Sequence, residues 1–195
     1  MNHNDHMDLL RAGILGPGGT WADLGAGTGA FTLALAELLG PQGVIFSVDR
    51  DRRALSQLRA RSRDRFPGHD IRTITADFTG PLEIPPLDGV VMANSLHFLE
   101  DKEPVLQSVR ERLGASGRLI LVEYNVDMGN RWVPFPISFQ SWEGLARRCG
   151  FSTTRRMCVK PSSFLQEVYS ALSMSGRGPS DLDAEGTSGL AQEAG

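Results

Sequence analysis

The chain has 195 residues, 41% hydrophobic and 22% charged, with a net charge of −3 and a pI near 5.8. That length suits one domain, able to bury roughly 70% of the surface its unfolded form exposes. The charge excludes a bulk electrostatic pull toward nucleic acid or anionic membrane, and no apolar run approaches the length of a membrane span.

In chain order, MNHNDHMDLL lacks the basic and apolar regions of a signal peptide, so a cytoplasmic protein is expected. HMDLLRAGI leaves room for one helix. Short apolar runs then recur: TWADL (20–24), VIFSV (44–48), IRTIT (71–75), GVVMA (89–93) and RLILV (118–122). Such runs suit strands buried on both faces, as in a parallel sheet. Between them lie helical stripes. Phe31, Ala34, Leu35, Leu38 and Leu39 form one, Leu55 and Leu58 begin a weaker one, and Val105, Leu106, Val109 and Leu113 form a third with Gly114 as its cap. The alternation predicts a doubly wound α/β sheet. The rhythm then breaks. VDMGNRWVPFPISFQS (126–141) reads as a long loop, WEGLARRCG (142–150) as a helix ended by Gly150, and TTRRMCV (153–159) as a strand. FLQEVYSALSM (164–174) carries a helical period yet also suits a hairpin strand. From Ser175 onward there is no aromatic and little to bury, so residues 1–174 are the expected domain and 175–195 a disordered tail.

Chemistry concentrates at the ends of the apolar runs. WADLGAGTGAF places Gly25, Gly27 and Gly29 between a strand and a helix, where backbone N–H groups and a positive helix end gather. Gly25, Gly27 and Ala30 satisfy G-x-G-x-x-G/A, a weak signal alone. Asp49 follows about 20 residues later, where a carboxylate can take both hydroxyls of a ribose. Asp77 and Phe78 end the third run, an acceptor and a ring suited to adenine. Asp23, just before the loop, would repel a pyrophosphate but suits a cationic ligand. The set favours S-adenosylmethionine (SAM), which has a sulfonium, an ammonium and no phosphate.

In their order, DLGAGTG, VDRD, ADF, DGVVMANSLHF and GRLILVEY resemble the successive motifs of the class I SAM-dependent methyltransferases, over residues of about 8 to 174. The resemblance implies a seven-stranded, mostly parallel sheet. Its last two strands, about 153–159 and 164–173, would form an antiparallel hairpin, overriding the helical period. It further implies that Gly25, Ala26, Gly27, Thr28 and Gly29 wrap the methionine part above Asp23. Asp49 and Arg50 would lie at the ribose, Asp77 and Phe78 at the adenine, and Asn94 and Ser95 beside the methyl group. Asn94-Ser95-Leu96-His97 lacks the Pro-Pro-aromatic pattern of enzymes that methylate nucleobase amino groups, so a small-molecule acceptor is expected.

If the acceptor must lose a proton, three side chains near the carboxyl edge could serve as the base: His97, Glu123 and Tyr124. An imidazole ordinarily titrates near neutrality, which suits the task; a loop-anchoring histidine is the alternative. For Glu123 and Tyr124 the alternatives are a carboxylate binding a backbone N–H and a ring capping the core. Trp132, Phe135, Phe139 and Trp142 could form a lid over an uncharged acceptor or a plug sealing the sheet. With so little chain before the first motif, the expectation is that loops or a second subunit, as in a homodimer, cover the acceptor, or that it is hardly covered at all. The arginine run at 50–65 alternates with Asp49, Asp51 and Asp64 and reads as a solvated helix face. His3, His6, Cys149 and Cys158 show no metal-ligand spacing, so no metal is expected. A short NAD(P)-dependent oxidoreductase stays open as an alternative, although no Tyr-x-x-x-Lys pair follows the fourth strand; so does a SAM-binding module without catalysis.

Overall fold

The computed structural model describes residues 1–176. One sheet holds β1 (Gly19–Leu24), β2 (Gly43–Asp49), β3 (Asp70–Thr75), β4 (Leu87–Ala93), β5 (Leu113–Tyr124), β6 (Thr153–Pro161) and β7 (Glu167–Met174). Their order is β3-β2-β1-β4-β5-β7-β6. The first five strands pair in parallel, while β7 runs antiparallel to both β5 and β6. The strand order reverses at β1, with β2 on one side and β4 on the other. In open α/β sheets a crevice forms beyond the carboxyl ends of the strands at such a point.

Helices cover both faces: α1 (His3–Arg11), α2 (Ala30–Leu39), α3 (Arg52–Arg65), α4 (Glu103–Arg112) and α5 (Phe139–Arg148). Alternate residues of each central strand enter opposite cores. Ala22, Leu24, Val90, Met92, Leu119 and Leu121 meet α4 and α5, whereas Trp21, Ile45, Val91, Ala93, Ile120 and Val122 meet α1 and α2. Burial on both sides is why these strands read as continuous apolar runs rather than alternating ones. Helix α3 packs on α2 through Leu55, Leu58 and Leu33.

Two expectations from the sequence change at the element ends. Leu113 falls at helical spacing from Val109, but α4 ends at Arg112 and Leu113 already pairs with Leu87. Gly114 is therefore a strand residue, not a cap. Residues 167–174 are a strand despite their helical period. Tyr169 and Ala171 enter one core while Val168 and Leu172 enter the other, so apolar residues on both faces imitate a helical stripe. Of the segment expected to be a tail, Ser175 donates its N–H to the Gly117 carbonyl at 2.9 Å; residues 177–195 lie outside the described residues.

Candidate active site

Three neighbouring spaces lie along the crevice at the carboxyl edge. A cleft of about 400 Å³ is lined by Gly25, Asp49, Arg50, Asp77, Phe78 and Ser95. A smaller one of about 200 Å³ lies against Asp23, Ala26, Thr28, Phe31 and His6. The third, the chamber, is an open depression of about 450 Å³ lined by His97, Tyr124, Trp132, Val133 and Phe164. Asn94 lines all three.

The glycine loop is held by the strand beside it. Gly25 and Ala26 both donate to the Val48 carbonyl, at 2.9 and 3.0 Å. Gly27 donates to Asp49 Oδ2 at 2.7 Å, and Asp51 N–H donates to Asp49 Oδ1 at 2.7 Å. The Asp49 carboxylate is thus fixed by backbone on both oxygens, each of which keeps a lone pair for a further donor. Gly25 has a φ of +84° and Gly27 one of +53°. A Cβ on Gly25 would collide with Ser95, whereas the space beside Gly27 is open.

Asp23 lies beneath the loop and is 2% exposed. Its Oδ2 accepts from Thr32 Oγ1 at 2.6 Å, and that hydroxyl lies 3.2 Å from Ser47 Oγ. Burial pushes its carboxyl up to about 6, with the charge of Asp49 adding to the effect and the Thr32 bond opposing it. At the far end of the cleft, Asp77 Oδ1 accepts from Thr79 N–H and from Thr79 Oγ1. These bonds hold its carboxyl below the usual range.

Asn94 follows β4 with a φ of +52°, a conformation uncommon for a residue with a side chain. Its N–H donates to the Val122 carbonyl at 2.9 Å, while its buried Oδ1 has no hydrogen-bond partner. Ser95 donates its hydroxyl to the Leu24 carbonyl at 2.7 Å, so that proton ties β4 to β1. A single 3-10 turn, Leu96–Phe98, comes next. Its consecutive residues His97 and Phe98 face the chamber and the first cleft respectively.

His97 and Glu123 form a buried pair. Glu123 has no exposed surface and His97 is 3% exposed. His97 Nδ1 lies 2.9 Å from Glu123 Oε2 and 3.1 Å from Oε1, and the His97 N–H donates to Oε1 at 3.1 Å. Tyr124, next along β5, faces the chamber. Burial and the neighbouring Glu123 charge push its phenol up, so it stays protonated at neutral pH.

The four aromatic residues of the loop after β5 separate. Trp132 is 69% exposed on the rim of the chamber. Phe135 lies under the Lys102 ammonium, with its N–H donating to the His97 carbonyl. Trp142, by contrast, is fully buried in the core, and Phe139 packs edge-on against Tyr169. Trp142 and Phe139 are therefore a plug and not a lid, because α5 turns them onto the sheet.

Several contributors were not singled out in the sequence. Thr32 and Ser47 support Asp23, Phe98 and Thr79 line the first cleft, and Phe164 lines the chamber. Nor is the arginine run wholly a solvated face. Arg61 donates to the Thr28 carbonyl at 2.9 Å, bracing the glycine loop, and Arg59 donates to Thr73 Oγ1. Phe164 was visible only as part of the ambiguous final segment; the others carried no local signal.

A mostly parallel sheet with this strand order and an antiparallel β7, a glycine loop after β1, and acids at the ends of β1 and β2 and just beyond β3 define the class I SAM-dependent methyltransferase fold. The chain belongs to the methyltransferase domain family, whose pattern it matches over residues 22–119, just over half its length, and SAM is the cofactor of this family.

A stretch of 71 residues is 34% identical to a probable cobalt-precorrin-6B C(15)-methyltransferase (decarboxylating) from Thermoplasma volcanium; it covers 36% of this chain and 35% of that protein. The chain thus spans about a third of this curated relative. Among solved structures, the YcgJ protein from Bacillus subtilis superposes with a TM-score of 0.71 at 12% identity, covering 91% of this chain and 100% of that one. An arsenic(III) SAM methyltransferase from Chlamydomonas reinhardtii superposes with a TM-score of 0.68 at 20% identity, covering 86% and 65% respectively. At these identities the superpositions establish a shared fold. Among the described residues, no helix is long and apolar enough to cross a membrane.

Proposed function

We propose that this protein transfers the methyl group of SAM to a small-molecule acceptor, with the nucleoside in the cleft between Gly25 and Phe78 and the acceptor in the chamber beside His97. The observation that carries the reading is Asn94, common to all three spaces, with a buried Oδ1 that has no partner. A buried acceptor left without a donor is costly, on the order of 1–3 kcal/mol, and an arriving N–H or O–H group would relieve it.

The residues present suit this cofactor. The open side of Gly27 lets a ligand approach the backbone. Asp49 would accept from the ribose hydroxyls through its spare lone pairs, with Arg50 at the same edge. Asp77 Oδ2 would accept from the adenine amino group, with Phe78 against the ring. Asp23 would face the ammonium from beneath Gly25, Ala26, Thr28 and Gly29. When bound, SAM supplies an electrophilic methyl whose leaving group is a neutral thioether. Much of the rate would come from alignment, for which effective molarities are worth up to about 7–11 kcal/mol.

The Asp23 carboxyl gives a pH test. A cation prefers the ionised form, so binding it should lower a pKa that stands at about 6 in the free protein. From its value at neutrality, affinity for SAM then falls as pH drops through 6, by about tenfold at pH 5. Calorimetric titration between pH 5 and 8 measures this. Affinity that rises on acidification, as for an anionic dinucleotide, would favour the oxidoreductase alternative.

A further inference from the structure

We propose that His97 is the general base of the reaction, held in one tautomer by Glu123, and that its acceptor is an uncharged planar aromatic compound bearing an ionisable hydroxyl. The inference rests on the methyl-transfer reading above. An ionised Glu123 only accepts, and with it in that form the proton between His97 Nδ1 and Glu123 belongs to Nδ1. In the neutral ring the lone pair is then on Nε2. No described residue hydrogen-bonds Nε2, and the ring is part of the chamber wall.

Glu123 does more than anchor the loop. The His97 N–H alone would satisfy an anchor, but here both carboxylate oxygens also meet the ring nitrogen. With no exposed surface, Glu123 cannot reach an acceptor and is a positioning residue. The groups around the pair divide the labour. The Lys102 ammonium, on the loop before α4, is tied to the Leu99 carbonyl at 2.6 Å and close enough to Glu123 to interact with it. Tyr124 keeps its proton and offers a donor and a ring face, not a competing base.

The chamber selects the acceptor. Tyr124 and Phe164 rings lie 5.8 Å apart, and Tyr124 lies 6.1 Å from the His97 ring. Trp132 and Val133 complete a solvent-open, largely aromatic lining in which no residue carries a permanent charge. Such a lining favours flat, uncharged molecules, and an un-ionised hydroxyl is a poor nucleophile until its proton leaves. The hydroxyl gives that proton to Nε2. Its oxygen forms the bond to the methyl carbon as the carbon–sulfur bond breaks and the electron pair goes to sulfur. The products are the methyl ether, S-adenosylhomocysteine and an imidazolium facing the Glu123 carboxylate, which returns its proton to solvent.

The test uses the full chain saturated with S-adenosylhomocysteine and the chromophore 4-nitrophenol, buffered below that phenol's own pKa. Binding to the native protein should raise the phenolate absorbance. His97→Asn, which keeps a donor toward Glu123 but has no second nitrogen, should bind S-adenosylhomocysteine within about twofold of native and reduce the phenolate signal about tenfold or more. Nitrogen NMR of the labelled native protein should show His97 protonated at Nδ1 and bare at Nε2, and Glu123→Gln should lose that preference. The proposal is overturned if 4-nitrophenol fails to bind, binds un-ionised, or ionises equally well in His97→Asn. It is also overturned if the NMR places the proton on Nε2. Failure of S-adenosylhomocysteine itself to bind would instead overturn the methyl-transfer reading on which the proposal rests.

Discussion

Asp49→Ala is expected to weaken SAM binding by about 100-fold, a loss of roughly 3 kcal/mol. Two effects act together. The carboxylate is positioned for charge-assisted bonds to the ribose hydroxyls, each worth about 1.5–3 kcal/mol when the acceptor is ionised. It also receives the Gly27 and Asp51 N–H groups, each at 2.7 Å, and alanine leaves both without their acceptor. The loop would then lose its set as well as its ligand contact. Asp49→Asn keeps one acceptor oxygen and should fall between the two. Calorimetry on folded variants measures this, and unchanged affinity in Asp49→Ala would mean that the ribose is held elsewhere.

The second large effect separates two glycines that look alike in the sequence. Gly25→Val should destabilise the fold by about 3–5 kcal/mol, combining left-handed backbone strain with a clash. The clash falls on Ser95, which cannot easily give way because it is buried and its hydroxyl is committed to the Leu24 carbonyl. Gly27→Ala meets nothing within 4 Å at its φ of +53°, so it costs only about 1–2 kcal/mol of backbone strain. It nevertheless puts a methyl group where the ligand would approach. Urea denaturation and SAM titration of both variants should therefore split: Gly25→Val loses stability, whereas Gly27→Ala loses affinity out of proportion to its stability. Equal losses of stability would contradict the idea that the fold needs one glycine and the ligand the other.

How much of this could be read from the sequence depends on how local the signal is. The strands, the glycine loop, and the acids at positions 23, 49 and 77 are legible because each lies at a strand end, where the apolar run stops and chemistry begins. His97 and Glu123 were each legible as candidates, but their partnership was not. They lie 26 positions apart and meet only because β4 and β5 are neighbours, with Ala93 level with Val122. The register of those strands brings the two carboxyl ends side by side, and no spacing rule reports that. Asn94 is a similar case. Its type and position were visible, whereas its left-handed backbone and unpartnered Oδ1 belong to the packed turn. What spacing leaves open or misreads has one cause. Leu113, Phe139 and Trp142 are apolar residues whose burial follows from which neighbour they face, so hydrophobic spacing mistakes a strand start for a helix end at Leu113 and leaves plug and lid undecided at Phe139 and Trp142.

A crystal structure of the protein with S-adenosylhomocysteine is the decisive measurement for the methyl-transfer reading. The expected result is adenine between Phe78 and Asp77, ribose hydroxyls on Asp49, the amino-acid end beneath the glycine loop over Asp23, and the sulfur directed past Asn94 toward the chamber of His97. A nucleoside bound outside this cleft, or seated with its sulfur turned away from that chamber, would contradict that reading.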